Sequence, residues 1–114
     1  MISKNLTAAT TKPLILGILK QGKSYGYLII SKIKEMSGGK MKWSDGMLYP
    51  VLHRLEKEGL IRSEWIMSDG SRPRKYYEIT EMGKQELIVE REQWVQISSI
   101  LSQIWDTDLP INTI

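Results

Sequence analysis

Leu48 to Ile61 reads LYPVLHRLEKEGLI, and the fold turns on this stretch. Leu48, Val51, Leu52 and Leu55 recur at three- and four-residue spacing, which lays one apolar stripe along a helix. Gly59 follows Glu58 where a helix C-terminus calls for a left-handed residue. Ser44 precedes the run and can accept from the first free amides, while Asp45 suits the positive end of the first turn. The opposite face is unusual. Tyr49 and His53 lie one turn apart, flanked by Gly46, Pro50, Arg54 and Lys57, with Glu56 only at the edge. Hydrogen-bonding groups, cations and small contact surfaces on one face suit a helix that reads the major groove of a duplex. Pro50 removes one backbone bond and crowds the carbonyl of Gly46. An irregular first turn or a kink is expected there, not a break.

Toward the N-terminus, Pro13 fits the first turn of a helix capped by Thr11. Leu14, Ile15, Ile18 and Leu19 supply its buried stripe, and Gln21-Gly22 ends it. A start near Asn5 is the alternative, since Leu6 continues the pattern. Ser24 is expected to cap a second helix, Tyr25 to Met36, with Gly26, Ile29, Ile30 and Ile33 on one face and Ser37-Gly38-Gly39 as its stop. Lys40 to Trp43 alternates Lys-Met-Lys-Trp and predicts a short strand.

Toward the C-terminus, Ile61 to Met67 and Lys75 to Thr80 read as two strands around the turn residues Ser68-Asp69-Gly70. Arg72, Arg74 and Lys75 then place three cations, with Pro73, at a hairpin tip. Such a loop is either a solvated turn or a contact to phosphate or the minor groove, and the neighbouring reading helix favours the contact. Thr80 caps the last helix with Glu81 in its first turn, although Gly83 stands where a capping box needs Glu. Leu87, Trp94 and Leu101 are seven apart, as are Ile97 and Ile104, and Ile100 and Trp105 widen the stripe. These are too few heptads for an isolated coiled coil and too many apolar positions for a monomer's last helix. A dimer interface is expected at Leu14, Leu87, Trp94, Ile97, Leu101 and Ile104, with a single closed core as the alternative.

With 114 residues the chain is one domain. It has no cysteine, which excludes disulfides and thiolate metal sites and fits a cytoplasmic protein. No apolar run approaches the ~20 residues of a membrane span, and no signal-peptide hydrophobic region opens the chain. The net charge is +3 but unevenly spread. Residues 1–35 hold six Lys against one acid, residues 36–80 eight Lys/Arg against six, and residues 81–114 two against six. A basic body that meets a polyanion and an acidic end that meets protein match this distribution. An enzyme has little to stand on. The single histidine, His53, has no clustered acids or adjacent nucleophile, and there is no Gly-rich phosphate loop. No cofactor and no metal are expected.

Three helices, a short strand and a basic two-stranded hairpin make a winged helix-turn-helix, mainly α with a small β-wing. Within it, Tyr25-Gly26-Tyr27, Leu48-Tyr49-Pro50 with His53-Arg54-Leu55-Glu56, Gly59-Leu60-Ile61, Arg74-Lys75-Tyr76-Tyr77 and Thr80-Glu81 with Gly83 resemble the PadR family of bacterial transcriptional regulators. The match covers roughly residues 11–105, and the single C-terminal helix resembles the short subfamily that includes multidrug-sensing repressors. On this reading residues 1–80 form the winged helix-turn-helix and residues 81–105 a dimerisation helix of the same compact domain. Residues 106–114 form a tail without family pattern, for which disorder is one open reading.

The resemblance implies a homodimer on a double-stranded DNA operator, repressing a nearby promoter until a small molecule, planar aromatic or cationic, relieves it. It implies contacts to DNA from Ser44, Gly46, Tyr49, Pro50, His53, Arg54 and Lys57 on the reading helix and from Arg72, Arg74 and Lys75 on the wing. Tyr49 matches the family's DNA-contacting tyrosine, against a ring that merely lies on the core edge. Trp94 matches an aromatic that lines a flat pore at the dimer centre, against ordinary packing. Leu28 stands where the family commonly has a polar residue and is expected to be exposed, and Pro73 would stiffen the wing tip. A winged helix used only for protein contact is the alternative function, and the basic wing argues against it.

Overall fold

Capping chemistry and buried stripes set the element order in a computed structural model that describes residues 2–67 and 72–106. The elements are α1 (Lys4–Lys20), β1 (Ser24–Tyr25), α2 (Gly26–Met36), α3 (Asp45–Lys57), β2 (Ile61–Ile66), β3 (Arg74–Ile79) and α4 (Glu81–Asp106). The strands form one antiparallel sheet in the order β1-β3-β2. This is a winged helix-turn-helix, with β2 and β3 as the wing. Ile15, Leu16, Ile29, Leu48, Leu52 and Leu55 are fully buried and form one core with Ile61, Tyr77 and Leu87.

α3 forms as its sequence dictates. The Ser44 hydroxyl accepts from the Met47 amide at 3.2 Å, and Gly59 takes the left-handed conformation (φ 81°) just past the helix end. The helix runs unbroken through Pro50.

α1 begins earlier than a Thr11 cap predicts. Ser3 is the cap, accepting from the Leu6 amide, and Thr11 is buried in mid-helix with its hydroxyl donating to the Thr7 carbonyl at 2.7 Å. Pro13 therefore sits inside the helix. An interior proline costs about 3 kcal/mol. Ile15, Leu16, Ile18 and Leu19, each at most 4 % exposed, all follow Pro13 and would be buried from either start. The helix still runs from Lys4 through Pro13, so the alternative start near Asn5 is the right one to within a residue.

Two further expectations are corrected. Ser24 does not cap α2. It pairs with Tyr77 in β1, and Tyr25 occupies the cap position without a side-chain hydrogen bond. Lys40 to Trp43 is not a strand. The Ser37 hydroxyl accepts from the Met41 amide at 2.9 Å, and Trp43 turns into the core at 4 % exposure. Leu28 is half-buried, not exposed. The strands are each shifted or shortened by a residue at their ends, and the turn Ser68-Asp69-Gly70 lies outside the described residues.

Thr80 caps α4 from two sides, accepting from the Gly83 amide at 3.0 Å and donating to the Gly59 carbonyl at 2.7 Å. Lys12 on α1 reaches Glu86 at 2.7 Å and Glu90 at 3.3 Å, fixing the first half of α4 along α1. Leu87 is 6 % exposed within its own chain, so its burial needs no second subunit. Asp106 still belongs to the helix, and the tail beyond it lies outside the described residues. No helix among the described residues is long and apolar enough to cross a membrane.

Candidate nucleic-acid interface

Because Leu48, Leu52 and Leu55 turn wholly inward, with Met47 and Val51 half-buried beside them, the opposite side of α3 faces outward. Ser44, Gly46, Tyr49, Pro50, His53, Arg54 and Lys57 are all exposed, as the helical spacing predicts. They form one continuous face with two fixed cations and one imidazole. Ser44 is already engaged as the cap.

Tyr49 has a double character. It is 39 % exposed, yet its hydroxyl end lies over Gly26 at the start of α2. A Cβ on Gly26 would stand 2.8 Å from Tyr49 Cζ and overlap its hydroxyl oxygen. The glycine of Tyr25-Gly26-Tyr27 thus makes room for a ring from α3, and the ring's pose is set by α2. Burial first, then the nearby Tyr49 hydroxyl and Glu56 carboxylate, push the neighbouring Tyr77 phenol above its ordinary range. Glu56 itself is held by the Ser63 hydroxyl at 2.6 Å, which ties α3 to β2.

The wing's three cations do not act as one cluster. Side chains alternate along a strand, and the pairings Trp65↔Lys75 and Ile66↔Arg74 put Lys75 on the α3 side of the sheet and Arg74 on the outer side. Lys75 is half-buried with its ammonium 5.7 Å from the Tyr77 ring. Arg72 is exposed. Arg74 is exposed too, with its guanidinium carbon 4.5 Å above the Tyr25 ring, and Tyr25 meets Tyr76 edge-on at 5.2 Å and 70°. On the same outer side, Lys23 pairs with Glu64 and Glu78, and Arg62 with Glu78. The Glu64 hydrogen bond raises the Lys23 pKa, and the Arg62 hydrogen bond lowers that of Glu78. Exposed pairs of this kind add little stability, but they leave Arg74 as the outer-side cation without a carboxylate partner among the described residues.

That Tyr25 and Gly26 are partners of Arg74 and Tyr49 does not follow from the sequence pattern. Their signal was present in Tyr25-Gly26-Tyr27, but the contacts join segments far apart in the chain.

The residues expected at a subunit interface divide. Leu87 is core, and Leu14 is half-buried against it. Ile97, Leu101 and Ile104 are 50, 36 and 58 % exposed. Trp94 is half-buried and shares a groove of about 400 Å³ between α1 and α4 with Leu14, Leu87, Lys20 and Arg91.

The model of the transcriptional regulator PadR-like family matches residues 15–88. A transcriptional regulator from Clostridium thermocellum is similar in structure (TM-score 0.82, 28 % identity, covering 90 % of this chain and 97 % of that one). So is a PadR family transcription regulator from Clostridium difficile R20291 (TM-score 0.76, 30 % identity, 84 % and 98 %). The negative transcriptional regulator PadR of Bacillus subtilis is 37 % identical over 73 residues, which span 64 % of this chain and 40 % of that protein.

Proposed function

This chain belongs to the PadR-like family of transcriptional regulators, and on that premise we propose that it acts as a homodimeric repressor. α3 of each subunit reads a major groove of the operator, and the wing touches flanking phosphate or minor groove. The observation that carries this reading is the outward face of α3, where seven exposed residues from Ser44 to Lys57 include cations and lie beside a basic wing. The name of the Bacillus subtilis relative, a negative regulator, supports repression.

The test is duplex binding followed by fluorescence anisotropy against salt. Affinity should fall steeply as phosphate-bound counterions are released, with half-sites about 10 bp apart centre to centre. Tyr49→Ala should cost roughly 1–3 kcal/mol and relax specificity at one base pair, provided Tyr49 reads a base edge. Arg74→Ala should weaken all sequences alike and lower the salt slope by about one. Identical behaviour of the two variants would remove the division between reading helix and positioning wing. A response flat in salt would refute the phosphate-dominated model, and no duplex binding at all would leave a winged helix that contacts protein only.

Relief by a small molecule is the second part of the proposal, supported by the groove that Trp94 lines. A planar guest can stack on the indole and bury apolar surface against Leu14 and Leu87. Lys20 and Arg91 line the groove and no acid does, so a neutral or anionic aromatic suits it better than a cation. Binding would shift DNA affinity only if the guest prefers one spacing of the two α3 helices. A planar dye such as an anilinonaphthalene sulfonate should bind the wild type and weaken its DNA complex, and Trp94→Ala should lose most dye affinity. Full dye affinity in Trp94→Ala would make Trp94 a packing residue.

A further inference from the structure

We propose that Tyr25 is a positioning residue for the wing, holding the Arg74 guanidinium in the pose from which it meets a DNA phosphate. The inference rests on the reading of Arg74 as a phosphate contact. Its basis is geometric. Tyr25 lies in the two-residue strand β1, directly opposite Tyr76 on β3. Arg74 is two residues from Tyr76, hence on the same side of the sheet and diagonal to Tyr25, within reach of a long side chain. The Tyr76 ring braces Tyr25 edge-on, and Arg74 lies 4.5 Å over the face of Tyr25.

This arrangement does what a salt bridge could not. An exposed arginine samples many rotamers and must give up that freedom when it binds. A carboxylate partner would order it, but would occupy the N–H groups that a phosphate needs. A ring face orders the guanidinium through its plane and leaves the in-plane donors available. Among the described residues the nearby acids are taken, Glu64 by Lys23 and Glu78 by Arg62 and Lys23. β1 thereby links the start of α2, where Gly26 seats Tyr49, to the wing. One turn of chain sets the poses of both proposed DNA-contacting side chains.

The experiment uses the full chain and a short random-sequence duplex, since phosphate contacts are independent of sequence. Arg74→Ala is expected to lose about tenfold in affinity near 0.1 M salt and to lower the salt slope by about one. Tyr25→Leu is expected to lose about two- to fivefold with the slope unchanged, because the charge remains. In the Arg74→Ala background Tyr25→Leu should add nothing, and Tyr25→Phe, which keeps the stack, should bind as wild type. An equal loss from Tyr25→Leu in both backgrounds overturns the proposal. So does a Tyr25→Phe loss as large, which would mean that the hydroxyl itself touches DNA. If Arg74→Ala binds as wild type, the phosphate reading fails and takes the inference with it. A normal Arg74→Ala loss beside an inert Tyr25→Leu removes the inference alone. Should Tyr25→Leu fail to fold, Arg74→Lys keeps the charge without the planar stack. It should then show the same loss at unchanged slope, and wild-type affinity there overturns the proposal.

Discussion

Gly83→Ala is expected to destabilise the protein by about 3 kcal/mol, lowering Tm by roughly 10–20 °C. Helix propensity alone predicts the opposite sign, a gain of about 1 kcal/mol for alanine over glycine in a helix. Sterics decide. A Cβ at Gly83 would overlap the Leu60 carbonyl oxygen and stand 2.7 Å from Ile79 Cγ1. That carbonyl cannot swing aside cheaply, because it accepts from the Thr80 amide at 3.0 Å. Moving α4 outward instead would break the Thr80 cap, worth ~1 kcal/mol, and uncover Leu87. Gly46→Ala is the matched control. Its Cβ would meet nothing nearer than Ser44 Oγ at 4.0 Å, so propensity governs and stability should rise by up to about 1 kcal/mol. Thermal unfolding followed by circular dichroism checks both. A Gly83→Ala protein as stable as wild type would mean that α4 does not approach the start of β2 so closely.

The same glycine shows where a sequence can be read and where it cannot. Its place where a capping box needs Glu is visible in the sequence, but the reason is not, since Leu60 meets it only through the fold. α3 was legible because three independent signals agree, the Ser44 cap, the Leu48–Leu52–Leu55 stripe and Gly59 at the end. Its outward face followed by geometry alone. α1 was harder because Thr11 with Pro13 makes a good local start signal. The helix nevertheless starts at Lys4 with Ser3 as its cap, and Leu6, which suggested the longer start, is 51 % exposed. Alternation at Lys40–Trp43 mimics a strand, but a strand exists only with a partner, and β3 is flanked instead by β1 and β2. β1 itself has two residues and no periodicity to detect. The sequence places Arg72, Arg74 and Lys75 together at a hairpin tip, but Arg74 and Lys75 lie within β3. Their division between two sides depends on register, which one-residue shifts invert.

Leu101→Asp tests the assembly and carries the largest expected effect. Beyond Trp94, α4 continues to Asp106 with no buried residue, and Ile97, Ile100, Ile104 and Trp105, on one side of it, are each at least half exposed. An apolar stripe of this extent on a chain of this size marks an interaction surface, and a second copy of α4 is the proposed partner. In a two-fold dimer each substitution appears twice. An uncompensated charge buried in an apolar interface costs roughly 3–5 kcal/mol, so two copies should raise the dimer dissociation constant by at least about 10⁴-fold. Leu101 is already 36 % exposed in the single chain, so Asp there should leave the monomer fold intact. Light scattering should then report a folded monomer, with circular dichroism close to wild type. DNA affinity should fall with it, because one α3 helix holds only one half-site. Leu87→Asp provides the contrast, since Leu87 belongs to the core of its own chain and its replacement should unfold the protein. A folded, DNA-binding dimer carrying Leu101→Asp would move the interface off the outer half of α4.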